Sequence, residues 1–285
     1  MLKNASLKEY TYTKIGGPAD YLSIPKTIDS LKESIDFAKN KKIPWMILGN
    51  GSNVLIRDGG IEGLVILTTS LVQSSIKDTT IIVQAGAPII EISQLARDQS
   101  LTGLEFACGI PGSVGGAIFM NAGAYGGEIK DVCKSVTVLT KEGIVKKLNA
   151  DRLNFSYRSS SVPKNDWIVL EVELELKKGD YPSINEKMEE LTFLRESKQP
   201  LEFPSCGSVF KRPEGFYAGK LIQDAGLQGS QIGGAQVSLK HAGFIVNKNE
   251  ATAKDYLDLV RHVQKTVKNK FDVDLEKEVR VIGRD

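Results

Sequence analysis

Three short stretches hold residues whose types suggest chemistry. "NFSYRSSSVP", residues 154–163, sets Tyr157 and Arg158 in a serine-rich turn. An arginine can clamp a carboxylate or phosphate through two parallel hydrogen bonds, although an isolated arginine is more often a surface residue. "PSCGSVFKRP", residues 204–213, places Ser205 and Ser208 around Gly207, with Lys211 and Arg212 following. No histidine is near in sequence, which weighs against a serine–histidine nucleophile. A hydroxyl beside cations can instead donate a proton to a developing carbanion; a turn serine is the plainer reading. "LEKEVRVIG", residues 275–283, puts Glu278 and Arg280 on one face of an expected strand, where an ion pair on a solvated edge is the default. His241 opens an expected strand in "SLKHAGFIVN" and is either a ligand-binding residue or a half-buried ring. Cys206 has no base beside it and reads as a small buried residue.

Two glycine-rich stretches suggest binding. "LGNGSNVLI", residues 48–56, follows one expected strand and leads into another, with Gly49, Asn50, Gly51, Ser52 and Asn53 between them. Successive backbone N–H groups in such a bend can form an anion-binding concavity; a tight turn capped by Asn and Ser is the alternative. "CGIPGSVGGAIFMNAGAYGG", residues 108–127, does not match G-x-G-x-x-G, and no helical pattern is evident after it, which disfavours a Rossmann dinucleotide site. Its apolar residues, Ile110, Pro111, Val114, Ala117, Ile118 and Met120, are not those of a solvated linker. Either backbone packs densely here, or a large flat ligand with a diphosphate lies against bare main chain. The two stretches together favour the ligand.

Composition narrows the classes. The chain has 285 residues, 41% hydrophobic and 25% charged, with a net charge of +2, which is ordinary for a globular protein. Near-neutrality argues against a nucleic-acid or membrane-surface partner. Cys108, Cys133 and Cys206 form no C-x-x-C, so no disulfide framework is expected. The first residues, "MLKNASLKEYTYTK", carry no signal-peptide core, and no run reaches the roughly twenty apolar residues of a membrane span. Two histidines, His241 and His262, cannot build a histidine-rich metal site, and no metal is expected.

The elements that must position these residues are legible in part. "YLSIP" reads as a strand. Thr27 caps an expected helix with Ile28, Leu31, Ile35 and Ala38 on one side, and Trp45–Leu48 is a buried strand. Short β-branched runs follow at 64–67, 80–84 and 135–140, with an expected helix from Pro88 to about Asp98. "WIVLEVELEL" alternates Ile168, Leu170, Val172, Leu174 and Leu176 against mostly Glu, the pattern of a half-exposed strand. Residues 177–183 read as a linker, and Ser183 with Glu186 as a capping box for a helix carrying Ile184, Met188 and Leu191. A short helix ends near Gly226, "GFIVN" is a strand, and Thr252 with Asp255 caps a long helix bearing Tyr256, Val260, Val263 and Val267. "EVRVIG" is the last strand.

Taken in order, "TKIGGPAD", "LGNGSNVLI", "CGIPGSVGGAIFMNAGAYG", "SYRSS", "PSCGSVFKRP" and "LEKEVRVIG" resemble the UDP-N-acetylenolpyruvoylglucosamine reductase family, flavoenzymes of bacterial peptidoglycan precursor synthesis. The resemblance runs from about Tyr12 to Gly283. It implies an α+β protein with an FAD-binding fold of the vanillyl-alcohol-oxidase/PCMH type in two subdomains, residues 1–58 and 59–180. A substrate-binding domain at 181–270 and a C-terminal strand at 271–285 returning to the active-site cleft would follow. It implies non-covalent FAD, NADPH as reductant, a nucleotide-sugar substrate, and a cytoplasmic monomer. The lack of any histidine before His241 agrees with a flavin not tethered through histidine.

The same resemblance implies site residues. Reduced FAD passes hydride to the enolpyruvyl group of UDP-N-acetylglucosamine-enolpyruvate, giving the lactyl ether of UDP-N-acetylmuramate. Arg158 and Glu278 match the family's catalytic arginine and glutamate, and Ser208 its proton donor. The FAD contacts fall on Gly49, Asn50, Gly51, Ser52 and Asn53, then on Gly109, Ile110, Pro111, Gly112, Ser113, Gly115, Gly116, Ala117, Asn121, Ala122 and Gly123. Tyr157, Arg212, Lys220 and His241 fall where the family binds substrate. Arg212 stands where some members have asparagine. The segment between Arg158 and Ser208 is short, which implies the shorter family type without a substrate-capping insertion. A flavin oxidase of the same fold and a non-catalytic nucleotide-sugar or flavin sensor are the competing readings.

Overall fold

The computed structural model describes residues 1–285. Its six α-helices are α1 (Ile28–Lys41), α2 (Ile89–Asp98), α3 (Val114–Met120), α4 (Tyr181–Lys198), α5 (Ala218–Asp224) and α6 (Ala253–Phe271). The chain divides into two compact units. One holds Met1–Leu22, Gly51–Val65 and Glu196–Asp285; the other holds Ser23–Asn50 and Ile66–Arg195.

In the first unit a four-stranded antiparallel sheet runs in the order Ser205–Ser208, Phe244–Asn247, Ala235–Val237, Gln231–Ile232. Its core holds Val209, Leu221 and Ile222 together with the α6 stripe Tyr256, Val260, Val263 and Val267. The expected capping box of α6 is present: Thr252 Oγ1 accepts from the Asp255 amide, and the Asp255 carboxylate accepts from the Thr252 amide, both at 3.0 Å. Asp58 receives the next two amides, Ala253 at 2.8 Å and Lys254 at 2.9 Å. A cap contributes about 0.5–2 kcal/mol, whereas each buried side chain of this size contributes about 1.5–3 kcal/mol. The apolar stripe therefore decides the helix's place, and the caps set its start. The chain's last strand, Arg280–Ile282, pairs in parallel with Val54–Ile56.

In the second unit a five-stranded antiparallel sheet runs Val145–Asn149, Cys133–Leu139, Ile168–Glu175, Thr80–Gln84, Ser74–Lys77. The alternation read at Ile168, Leu170, Val172 and Leu174 is that of the sheet's middle strand, and all four are buried. Ile89 and Ile92 of α2 and Val114 and Ile118 of α3 join them in the core. The Thr27 cap holds as expected, with Ser30 as its partner.

Four features differ from the sequence reading. A helix, α3, does begin inside the second glycine stretch. Gly115 and Gly116 each cost it roughly 1 kcal/mol against alanine, which hides the pattern; burial of Val114 and Ile118, about 1.5–3 kcal/mol each, outweighs that cost. Helix α4 starts at Tyr181, and the Ser183–Glu186 box is replaced by Asp180, whose carboxylate accepts from the Ser183 amide at 3.1 Å and hydroxyl at 2.8 Å. The expected linker also holds a short strand, Lys177–Lys178, paired with Leu101–Thr102. Finally, Glu278 lies ahead of the last strand rather than on one face of it with Arg280.

Candidate active site

The second unit brings two glycine stretches into contact. Strand Trp45–Leu48 ends at Gly49, and a Cβ on Gly49 would stand 2.5 Å from Ser113 Oγ. Ser113 is buried and caps α3, its Oγ accepting from the Gly116 amide at 3.3 Å. The amides of Val114 and Gly115 are bonded to the carbonyls of Ala87 and Ala85 at 2.9 and 2.8 Å. The first amides of α3 are thus already used inside the protein. Any diphosphate here must take its donors from other amides of the two bends. Gly116 is the exception in this buried helix: it is exposed, and a Cβ there would meet nothing nearer than Ser113 Oγ at 3.4 Å. That strip of bare backbone fits a bulky group lying against it. Gly109, Ile110, Pro111, Gly112, Ala122 and Gly123 are half-buried, while Gly115 and Ala117 are buried.

Asn121 is expected to contact the cofactor. It is 0% exposed. Its amide nitrogen donates to Glu128 Oε2 and to the Ser156 carbonyl, both at 3.1 Å, and its Oδ1 accepts from the Lys130 amide at 3.1 Å. These three bonds of the carboxamide are all made within the protein.

Ser156 and Ser159 exchange backbone hydrogen bonds of 3.0 and 3.1 Å across a tight turn with Tyr157 and Arg158 at its tip. Arg158 has φ +51°, a left-handed conformation that costs about 1–3 kcal/mol and persists only when neighbours enforce it. Its guanidinium donates to the Gly123 carbonyl at 3.0 Å and lies 5.1 Å from the Tyr157 ring centre. Tyr157 is exposed.

In the first unit, Gly51 takes φ +64°, and a Cβ there would lie 2.1 Å from the Tyr10 carbonyl oxygen. Ser52 and Asn53 follow, half-buried. Asn53 donates from its carboxamide to the Glu278 carbonyl at 3.3 Å, and its own carbonyl accepts from the Arg280 amide at 3.1 Å. The Glu278 amide in turn donates to the Val209 carbonyl at 2.8 Å.

Ser208 is the exposed end of strand Ser205–Ser208, whose pairing with Phe244–Asn247 slips between Ser205 and Ser208. Gly207, at φ +77°, accommodates the irregularity. Such bulges re-aim side chains next to functional sites. The neighbouring Cys206 is buried, 3.2 Å from the Tyr256 hydroxyl, and burial pushes its thiol up to about 11, so it is no nucleophile.

The expected substrate residues have distinct partners. His241 accepts the Gly243 amide on Nδ1 at 3.1 Å and meets the Phe244 ring edge-on at 4.9 Å; burial lowers its pKa, which favours the neutral ring. Arg212 stacks on Tyr217, 4.0 Å from the ring centre. Lys220 is ion-paired with Asp224 one helical turn on.

One cation escaped the sequence reading. Arg195 packs against Gly109, where a Cβ would be 2.5 Å from Arg195 Cδ, and its charge acts on Cys108 and Tyr125. In sequence it is one more arginine on α4, and nothing marks it.

The comparisons with known proteins agree with these features. An FAD binding domain family matches residues 19–149, which include both glycine stretches, and a C-terminal domain family of UDP-N-acetylenolpyruvoylglucosamine reductase matches residues 199–282. The family matches and the mixed helix and strand content define an FAD-containing oxidoreductase of α+β class. The UDP-N-acetylenolpyruvoylglucosamine reductase of Listeria innocua is 57% identical over 99% of this chain and 95% of its own. That of Enterococcus faecalis is 53% identical over 100% and 95%. The crystal structure of the Thermus caldophilus reductase superposes with a TM-score of 0.85 at 38% identity, covering 97% of each chain. The chain belongs to the UDP-N-acetylenolpyruvoylglucosamine reductase family. Its cofactor is FAD and its role lies in peptidoglycan synthesis. No helix is long and apolar enough to cross a membrane.

Proposed function

We propose that this chain reduces the enolpyruvyl group of UDP-N-acetylglucosamine-enolpyruvate to the lactyl ether of UDP-N-acetylmuramate, with NADPH as reductant and Ser208 as proton donor. The observation that carries this reading is the main-chain bond from Glu278 to Val209, which holds the Glu278 segment beside the exposed end of the Ser208 strand.

When bound, without a covalent link, the flavin would supply the hydride that the terminal vinyl carbon accepts. Gly49 to Asn53 and Gly109 to Gly123 are the residues that would contact it, and the exposed backbone at Gly116 supports that assignment for the second stretch.

Hydride addition leaves negative charge on the carbon next to the carboxylate, and that charge spreads into the carboxylate. Arg158 clamps this group, since charge-assisted bidentate bonds suit a planar carboxylate. Glu278 acts at the same group, as the family's catalytic glutamate. Preorganised donors of this kind are worth about 3–4 kcal/mol each in a dry site. The Ser208 hydroxyl then gives its proton to the carbon. Serine is a weak acid, but a carbon base of this strength takes its proton when cations stand nearby; Lys211 and Arg212 follow in sequence. Tyr157, Arg212, Lys220 and His241 hold the nucleotide sugar. A neutral His241 can donate from Nε2, because Nδ1 is engaged by Gly243.

The test is optical. The purified protein should be yellow, should bleach with NADPH, and should regain colour when the enolpyruvyl nucleotide is added without oxygen. Bleaching without recovery would overturn the reading.

A further inference from the structure

We propose that Asn121 is a positioning residue for Arg158: its buried carboxamide holds the turn that keeps the arginine in its left-handed conformation. The inference rests on the reading that Arg158 acts on the substrate carboxylate.

Asn121 itself sits at φ +43°, just past the end of α3, and is 0% exposed. From there its side chain reaches three places. One bond goes to the Ser156 carbonyl, at the base of the Arg158 turn. A second goes to Glu128, on the short strand Gly127–Glu128 that pairs with Gly123–Ala124. The third comes from the Lys130 amide.

Arg158 is tied to the same strand pair at its other end, through the Gly123 carbonyl. The arginine is thus fixed at its backbone by Asn121 and at its guanidinium by Gly123, and Asn121 locks both supports together. A left-handed arginine relaxes when its surroundings stop enforcing it. Glu128 is held ionised, first by Lys130 and then by the Asn121 bond, with Arg158 adding to the field. It would be left facing an unfilled space if the carboxamide were removed.

The experiment uses the FAD-loaded enzyme and times its two half-reactions separately. Asn121→Gly removes the carboxamide while tolerating the left-handed backbone. It should retain bound flavin and reduce it with NADPH within about threefold of the parent, because the carboxamide it removes bonds to Ser156, Glu128 and Lys130. Reoxidation by the enolpyruvyl nucleotide should slow about 10²-fold, the cost of misplacing a catalytic group. Adding the substitution to Arg158→Ala should then slow reoxidation by less than about twofold further, since coupled residues are not additive.

Unchanged reoxidation in Asn121→Gly, or a full multiplicative loss in the double variant, would overturn the proposal. Asn121→Asp, which keeps the acceptor for Lys130 but sets an oxygen against the Ser156 carbonyl, should behave like the glycine variant. If both variants lose their flavin, the residue supports the fold and not the arginine, and the proposal fails. Full activity in Arg158→Ala alone would instead remove the reading on which it rests.

Discussion

The Glu278 amide donates to the Val209 carbonyl across 2.8 Å. Val209 follows Ser208 directly, so one backbone bond couples the segments carrying the proposed proton donor and the proposed carboxyl. Asn53 holds the same glutamate from the other side. The bend at Asn53, proposed to contact the cofactor, and the segments proposed to carry the chemistry are therefore tied together by hydrogen bonds within the first unit.

The seat proposed for FAD predicts a split between folding and cofactor binding. Gly116→Leu should fold, because a Cβ there meets only Ser113 Oγ, at 3.4 Å, and leucine favours a helix by roughly 1 kcal/mol over glycine. It should be colourless, since the side chain fills the cofactor's place. Gly51→Ala should instead lower stability, as its Cβ would overlap the Tyr10 carbonyl. Circular dichroism and the visible spectrum check both. A Gly116→Leu protein with one FAD per chain would show that the cofactor lies elsewhere.

Arg158→Lys should keep flavin and NADPH oxidation yet reduce turnover of the enolpyruvyl nucleotide about 10²-fold. Lysine is a point charge and cannot form the two-pronged bond. Steady-state rates with the nucleotide varied will show whether the loss falls on kcat, as transition-state stabilisation demands.

Glu175 gives a pH prediction away from the site. Its carboxylate is lowered to about 2, first by Lys134 and then by the hydroxyls of Thr79 and Thr80. Between that value and the ordinary carboxylate range the unfolded chain binds more protons than the folded one, so stability rises with pH there. The contribution is complete above the ordinary range and disappears as pH falls toward about 2. The urea midpoints of the parent and Glu175→Gln should therefore differ near neutrality and converge in acid. A constant gap would contradict the assignment.

The sequence made some of this legible and hid the rest for physical reasons. The alternation at Ile168–Leu174 and the stripe at Tyr256–Val267 were readable because burial imposes a period. Helix α3 was not, since Gly115 and Gly116 erase the helical signal and only packing restores it. The family's motifs supplied Arg158, Ser208 and Glu278 as candidates, where isolated residues would have read as turn or surface positions. Arg195 against Gly109 and Asn121 against Ser156 depend on tertiary approach, and no spacing announces either.

The central claim is that Ser208 delivers the proton after hydride addition. Its most direct test is a single turnover of Ser208→Ala, reduced without oxygen and mixed with the enolpyruvyl nucleotide. The flavin should reduce with NADPH as in the parent, while the return of its colour slows by about 10²–10⁴-fold, the range for losing a general acid. Recovery of colour at the parent's rate would contradict the account.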